Sequence, residues 1–149
     1  ETVVRGISEI DSARSLGITR KEALMYGAAT RIQADPQAAP GETVLHEPTR
    51  VVEMFMAGDI DHAKRVIRRF CRDVPCCVTV TPTTFLYRGG EEAGFVVGFR
   101  NYPRFPSDAY ALRATARDLA ERLREELGQD SYMAVDAGGM TTWSTTRDA

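Results

Sequence analysis

Five basic side chains occur between positions 64 and 72 of a protein whose net charge is only −2. They are Lys64, Arg65, Arg68, Arg69 and Arg72. Lys64, Arg68 and Arg72 are spaced i, i+4 and i+8, so a helix would align them along one line. Guanidinium groups hold phosphates through two parallel hydrogen bonds, and such a row suits a polyphosphate or a nucleotide. A solvated helix face is the alternative interpretation.

The segment from Asn101 to Pro106 is a second candidate for ligand binding. It joins a predicted strand to a predicted helix, where irregular backbone leaves N–H groups available. Asn101 offers both donors and an acceptor, enough to recognise a base or a ribose. Tyr102 or Phe105 can stack on a base, and Arg104 can meet a phosphate. The alternative is a rigid connector whose aromatic side chains fill the core.

Two further arginines, Arg113 and Arg117, are spaced i, i+4 on the second predicted helix. Like charges at this spacing repel unless an anion or an acid lies between them. Glu121 can neutralise Arg117, and Asp118 can pair with Arg122 in the same way. A surface network of ion pairs is therefore the alternative to an anion site.

The sequence contains no recognised constellation for nucleophilic catalysis. Its two histidines are His46 and His62, and neither a Gly-x-Ser-x-Gly elbow nor a Walker loop is present. Glu91 and Glu92 form a carboxylate pair at a predicted hairpin tip, where solvation is the expected state. These residues therefore predict no catalytic mechanism and no cofactor.

The three cysteines, Cys71, Cys76 and Cys77, do not have the spacing of a metal site. Adjacent cysteines rarely reach one tetrahedral ion together, and no Cys-x-x-Cys pair is present, so no metal is predicted. An odd count also argues against a secreted disulfide framework. Buried thiols in a reducing, intracellular setting are the prediction.

Length and composition exclude several broad classes. The chain has 149 residues, 43% hydrophobic and 27% charged, which is typical of one globular domain with its own core. The balance of 19 basic and 21 acidic residues argues against a duplex-DNA-binding protein. No apolar run approaches the roughly 18 residues that span a bilayer. We predict no membrane partner and a cytoplasmic location.

Hydrophobic periodicity and turn residues predict two regions. A capping box at Thr19 begins a predicted helix over about residues 20–33. The stretch from Asp35 to Pro48 contains three prolines and a glycine, and this pattern predicts a linker. We therefore predict an N-terminal helical arm and linker over residues 1–48 and an α+β ligand-binding domain over residues 49–149.

Strands and helices alternate in the second region. One helix follows an N-cap at Asp59, with Ile60, Ala63, Ile67 and Phe70 on its apolar face. Another follows Ser107 or Asp108, with Leu112, Ala116, Leu119 and Leu123 on its apolar stripe. Pro82 predicts that its strand lies at a sheet edge or bends. Predicted strands cover residues 51–56, 77–81, 83–87, 95–99, 131–135 and 140–146.

The resulting order is strand, helix, strand, strand, helix, strand, with one extra strand. This is the split-βαβ, ferredoxin-like order, and it predicts an antiparallel or mixed sheet with both helices on one face. The uncovered face needs a partner, which a second copy of the chain would supply. We therefore predict a homo-oligomer, a dimer or larger.

The region from Val52 to about Val135 resembles the first Thoeris anti-defence family of phage proteins. The resemblance depends on element order and on five segments, which are Met54–Gly58, Ala63–Arg65, Val78–Thr84, Tyr87–Glu92 and Asn101–Pro106. Members of that family are sponges that sequester cyclic ADP-ribose-type immune signals without degrading them. The resemblance implies a homo-oligomer with recessed pockets between protomers, lined by arginines, an asparagine and an aromatic side chain.

By position, Arg65, Asn101 and Arg117 match the arginine–asparagine–arginine set that the resemblance implies. Phe85, Tyr87 and Tyr102 compete for the role of the aromatic. The resemblance thus predicts non-enzymatic sequestration of a cyclic nucleotide immune signal in an infected bacterial host, with Arg65, Asn101, Tyr102, Arg104 and Arg117 as ligand-binding residues. Two alternatives stay open: a protein-interaction module that docks its basic helix on an acidic partner, and a small nucleotide-processing enzyme that uses Glu91 or Glu92.

Overall fold

The computed structural model describes residues 32–103 and 108–147, which form two compact units. The first unit contains residues 32–50, 101–103 and 108–112, and the second contains residues 51–100 and 113–147. The helix predicted over residues 20–33 lies outside the described residues except at its end, where Gln33 begins a strand.

Two short strands pair in the first unit. Strand β1 (Gln33–Ala34) is antiparallel to β2 (Leu45–His46). Asp35, next to β1, accepts from the Gln37 N–H at 2.7 Å and lies 2.8 Å from the Nε2 atom of His46. The hydrogen bond to His46 lowers the pKa of Asp35. The segment predicted as a linker is therefore closed locally by this strand pair.

The second unit is built on one antiparallel sheet with the strand order β4-β5-β3-β6-β7. Helix α1 (Ile60–Asp73) connects β3 to β4, and helix α2 (Ala109–Glu126) connects β5 to β6. This arrangement confirms the predicted α+β class and the split-βαβ order, with β7 as the extra strand. The strands are β3 (Val51–Ala57), β4 (Val78–Tyr87), β5 (Gly90–Arg100), β6 (Ser131–Asp136) and β7 (Thr141–Thr145).

Side-chain caps fix where both helices begin. The Asp59 carboxylate accepts from the N–H groups of Asp61 and His62 at the start of α1. Asp108, which is buried, accepts from the Ala111 N–H at 2.7 Å at the start of α2. Asp59 and Asp108 are thus confirmed as caps, and the alternative cap Ser107 lies outside the described residues.

The core lies on one face of the sheet. Burial alternates along β3, where Val52, Met54 and Met56 are buried and their neighbours are half-buried. The Cα partners of these three residues on β5 are Phe99, Val97 and Phe95, which are also buried. The predicted stripe of α2 is buried throughout, and Ala63, Val66, Ile67 and Phe70 of α1 are buried. Both helices therefore cover this face of the sheet.

Strand β4 forms one edge of the sheet, since it pairs with β5 alone among the strands that the structure describes. Pro82 lies in the middle of β4 and pairs with Phe95. On the open side of an edge strand, no neighbouring strand accepts hydrogen bonds from the backbone. A proline there loses no hydrogen bond between strands, so β4 continues through Pro82. The edge position predicted from Pro82 is confirmed.

The absence of a membrane partner was predicted from hydropathy. Within the described ranges, neither helix is long and apolar enough to cross a bilayer.

Candidate functional site

A cavity of about 500 Å³ lies between α2, β6 and β7 in the second unit. Helix α2 contributes Arg113, Arg117 and Glu121 to its wall. The strands contribute hydroxyl, aromatic, apolar and carboxylate groups, including Tyr132, Asp136, Thr142, Trp143 and Ser144. The volume lies within the range of about 300–1,000 Å³ that is typical of small-molecule sites.

Two ion pairs line this cavity. The Nε atom of Arg117 donates to Glu121 at 3.2 Å, with both side chains largely exposed. The hydrogen bond to Glu121 raises the pKa of Arg117, so the guanidinium stays charged. Arg113 donates through Nε to the carboxylate of Asp136, whose side chain is only 18% exposed. The cavity therefore offers positively and negatively charged side chains to a ligand.

Strand register explains why Asp136 faces the cavity. Asp136 pairs with Val52 and Ala134 pairs with Met54, so both lie on the helix-covered face of β6. The hairpin that follows contains Gly139, where an added Cβ would lie 2.8 Å from Oδ2 of Asp136. A glycine at position 139 therefore leaves room for that carboxylate.

Aromatic and apolar groups supply the remaining surface of the cavity. Tyr132 is buried, and the Arg124 guanidinium lies 5.0 Å from the centre of its ring. Arg124 also donates to the Ser144 hydroxyl at 2.7 Å, which ties α2 to β7. Trp143 and Met140 are 61% and 74% exposed. An apolar part of a ligand can therefore contact the exposed Met140 side chain.

A second feature of this unit is the basic stripe of α1, defined as Lys64, Arg65, Arg68, Arg69 and Arg72. One hollow of about 370 Å³ is lined by His62 and the four arginines of the stripe. Another, of about 440 Å³, adjoins Lys64, Arg68 and Arg72 on the side of β4. Arg69 pairs with Glu126 at 2.8 Å.

The cysteines lie next to the second of these hollows. The Sγ atoms of Cys71 and Cys76 are 3.6 Å apart, and both side chains are half-buried. Burial, followed by the hydrogen bond to Cys71, raises the pKa of Cys76 to about 12. Cys76 is therefore a neutral thiol at physiological pH. Among residues 32–103 and 108–147, no cluster of three or more potential ligands is arranged to hold a metal ion.

The residues predicted to bind a ligand are distributed over both units. Arg65 lines the hollow along α1, and Arg117 lines the cavity at α2, so the two arginines line different hollows of the described residues. Asn101 and Tyr102 belong to the first unit. Tyr102 is half-buried, and Arg104 lies outside the described residues.

The amide of Asn101 is engaged within its own unit. Its Oδ1 atom accepts from the Arg50 N–H at 2.8 Å. Its Nδ2 group donates to Oε1 of Glu47 at 2.7 Å and to the Pro48 carbonyl at 2.8 Å. These hydrogen bonds connect Asn101 to residues 47–50, which indicates a structural role for this side chain.

We expect Asn101→Ala to destabilise the first unit by about 1–3 kcal/mol, because the Arg50 N–H and the Glu47 carboxylate each lose a partner. Native-state hydrogen exchange of the Arg50 amide measures this loss, with the helical amide of Ala63 as the internal control. Unchanged exchange at Arg50 would contradict the structural role. Lower ligand affinity together with unchanged exchange would instead support the predicted binding role.

The other candidates for the stacking aromatic lie elsewhere. Phe85 is half-buried on β4, and the Tyr87 hydroxyl donates to Glu92 at 3.0 Å. The three candidates for the stacking aromatic are Phe85, Tyr87 and Tyr102, and none of them lines the hollows described above. Sequence reasoning missed Tyr132, Asp136 and Trp143. Alternation along β6 was the available signal for Tyr132 and Asp136, since residues two apart share a face.

Comparison with solved structures finds three chains that match part of this one, and one of them has a TM-score above 0.5. A phage SAM lyase in its apo state matches with 14% identity and a TM-score of 0.54, over 67% of this chain and 91% of the lyase. A phage SAM lyase in complex with S-methyl-5'-thioadenosine matches with 12% identity and a TM-score of 0.48, over 66% and 90%. A de novo designed protein with a ferredoxin fold matches with 19% identity and a TM-score of 0.28, over 68% and 87%. No protein-family model and no curated protein matches the chain.

These matches correct one prediction. The sequence-based prediction that the protein is not an enzyme is wrong, since the phage SAM lyase, which has a similar fold, is itself an enzyme. The prediction depended on the resemblance to a family of sponges and on the absence of familiar catalytic motifs. Such motifs describe only some reaction classes, and a fold can host chemistry through residues that form no recognised pattern.

Proposed function

We propose that this protein is a lyase that acts on S-adenosylmethionine in the cavity between α2, β6 and β7. One observation carries the proposal: a cavity of about 500 Å³ lined by positively and negatively charged side chains, in a fold similar to that of a phage SAM lyase. The identity of 14% supports the fold alone, so the ligand is argued from the chemistry of the cavity.

The charges of the cavity match those of S-adenosylmethionine. The amino-acid end of this molecule carries a carboxylate and an ammonium group, and its sulfur carries a positive charge. Arg117 can hold the carboxylate, and Glu121 can hold the ammonium group, because both side chains are exposed at the cavity. Asp136 adds a second negative charge that favours the sulfonium ion.

Adenine requires a flat apolar surface and polar groups at its edge. The exposed Met140 side chain offers apolar surface, and the hydroxyls of Thr142 and Ser144 offer donors and acceptors. Tyr132 is buried and supports the wall. These groups lie on β6, on β7 and in the turn between them, whereas Arg117 and Glu121 lie on α2.

The proposed reaction cleaves the bond between the sulfonium sulfur and the amino-acid side chain without water. The electron pair of this bond stays on sulfur, and the released product is S-methyl-5'-thioadenosine. In an elimination, the adjacent carbon loses a proton, and the electrons of its C–H bond form a carbon–carbon double bond. In an intramolecular substitution, an oxygen of the substrate's own carboxylate bonds to the carbon that loses sulfur, and a lactone is released. Glu121 and Asp136 are the groups of this cavity that can accept a proton.

Incubation with S-adenosylmethionine should therefore produce S-methyl-5'-thioadenosine, which liquid chromatography with mass detection measures. We expect Arg117→Ala to raise KM about tenfold, because one charge-assisted hydrogen bond to the carboxylate is lost. Arg147→Ala is the matched control, since Arg147 pairs with Asp130 outside the cavity. Failure to consume S-adenosylmethionine, with folding verified by circular dichroism, would reject the proposal.

A cyclic ADP-ribose-type nucleotide is the second candidate ligand. The resemblance to the first Thoeris anti-defence family favours it, as do Arg113 and Arg117, which are one helical turn apart in the cavity and suit a pyrophosphate. A thermal-shift panel with cyclic ADP-ribose isomers tests this candidate. Stabilisation by an isomer, without any consumption of S-adenosylmethionine, would favour it over the first.

Self-association and a location in the cytoplasm of an infected bacterium are part of the same proposal. The sheet face opposite the helices has the half-buried side chains Phe55, Val96 and Met133, and Trp143 lies on it at 61% exposure. Burial of such a face against a second copy supports the homo-oligomer predicted from the element order.

A further inference from the structure

The basic stripe of α1 has no role in the proposed cleavage of S-adenosylmethionine, yet most of its charges have no acidic partner in the part of the chain that the structure describes. Arg69 pairs with Glu126. Lys64, Arg65, Arg68 and Arg72 form no ion pair or hydrogen bond with a carboxylate anywhere in residues 32–103 and 108–147. Elsewhere in the second unit, Arg113, Arg117 and Arg147 each pair with an acid.

Arg68 and Arg72 separate two hollows of different character. On one side lie Arg65, Arg69 and His62, around a hollow of about 370 Å³. On the other side the hollow of about 440 Å³ has Ile67, Val78 and Val80 along its wall, together with the three cysteines. One hollow is therefore cationic, and the other combines cations with an apolar surface.

Both guanidinium groups line both hollows, so a single molecule that extends across them can contact both surfaces. Arg68 and Arg72 are one helical turn apart, about 6 Å along the axis, and like charges at this spacing repel each other. An anion that bridges them removes this repulsion. The neutral Cys76 thiol adds no opposing charge to the hollow.

We propose that this pair of hollows binds a nucleoside polyphosphate, with its phosphates on Arg68 and Arg72 and its base against Val78 and Val80. A chain of phosphates suits the row of guanidinium groups, which hold phosphate oxygens through paired hydrogen bonds. The apolar wall of the second hollow suits a planar base. This site is independent of the cavity at α2, β6 and β7.

Isothermal titration at low salt with ATP, inorganic tripolyphosphate, adenosine and a ten-residue thymidine oligonucleotide tests this proposal. We expect ATP to bind at least about tenfold more tightly than tripolyphosphate or adenosine, because only ATP uses both surfaces. S-adenosylmethionine in excess should not displace it. Arg68→Ala with Arg72→Ala should weaken ATP binding at least about tenfold.

Arg88→Ala with Arg100→Ala is the matched control, because it removes the same charge from exposed positions, Arg88 in the turn before β5 and Arg100 at the end of β5. Its ATP affinity should equal that of the unmodified protein. Equal binding of ATP and tripolyphosphate would overturn the nucleotide assignment. Tighter binding of the oligonucleotide would overturn it in favour of single-stranded nucleic acid. Equal loss of affinity in both double variants would show that the site does not depend on Arg68 and Arg72.

Discussion

Phe95→Ala is expected to destabilise the protein by about 3–5 kcal/mol, a larger loss than we predict for any other single substitution. Phe95 has no exposed surface and lies on β5 between Met56 of β3 and Pro82 of β4. Its ring belongs to the helix-covered face of the sheet, where truncation leaves a cavity that the surrounding strands cannot close. Chemical denaturation in urea, fitted with a common m value, measures the change in the free energy of unfolding.

The adjacent residue provides the control. Val96 lies on the opposite face of the same strand and is only half-buried. At protein concentrations too low for self-association, Val96→Ala should therefore cost about 1 kcal/mol, because less apolar surface is lost and no closed cavity is formed. Similar losses for both variants under these conditions would contradict a chain whose helices cover one face of its sheet alone. A larger loss at Val96 that appears only at high protein concentration would indicate that the proposed second copy buries the face that carries Val96.

The fold could be predicted from the sequence because its signals are local. The stripe of α2, with Leu112, Ala116, Leu119 and Leu123, follows the helical period and is buried as predicted. Asp59 and Asp108 mark helix starts through hydrogen bonds to residues two or three positions later. Such features do not depend on the rest of the molecule, so the order of strands and helices follows from them.

The candidate site could be predicted only in part, because it depends on register. Asp136 reaches the cavity since it pairs with Val52, about 80 residues earlier in the chain. Helical spacing shows which residues share a face, but it does not show which strand that face covers. Arg65 and Arg117 were therefore grouped by charge, although they line different hollows.

Surface ion pairs could also be predicted only in part, because other elements of the fold affect them. The predicted pair of Arg117 and Glu121 is present at 3.2 Å. The equivalent prediction for Asp118 and Arg122 does not hold in the described part of the chain, where the Arg122 guanidinium lies 5.2 Å from the centre of the Phe70 ring. Both pairs have ideal spacing, but an aromatic ring from another helix competes for Arg122.

Gly94→Ala should destabilise the protein by about 3 kcal/mol, at the upper end of the usual cost of overpacking. A Cβ at Gly94 would lie 2.5 Å from the carbonyl oxygen of Met56 and 2.4 Å from a ring carbon of Phe85. The Phe85 ring can rotate away, but the Met56 carbonyl belongs to β3, which pairs with β5 along its whole length. Relief of this clash therefore requires the two strands to separate locally.

Gly98→Ala is the matched control on the same strand and face. Its Cβ would lie 2.4 Å from the Thr79 hydroxyl oxygen, and the next neighbour is 3.8 Å away. A threonine hydroxyl can turn to another rotamer, so this variant should lose less stability than Gly94→Ala. Equal losses in thermal unfolding would contradict the role of the Met56 backbone. Phe85→Ala combined with Gly94→Ala should recover only part of the loss, because the contact with the β3 carbonyl persists when the ring is removed.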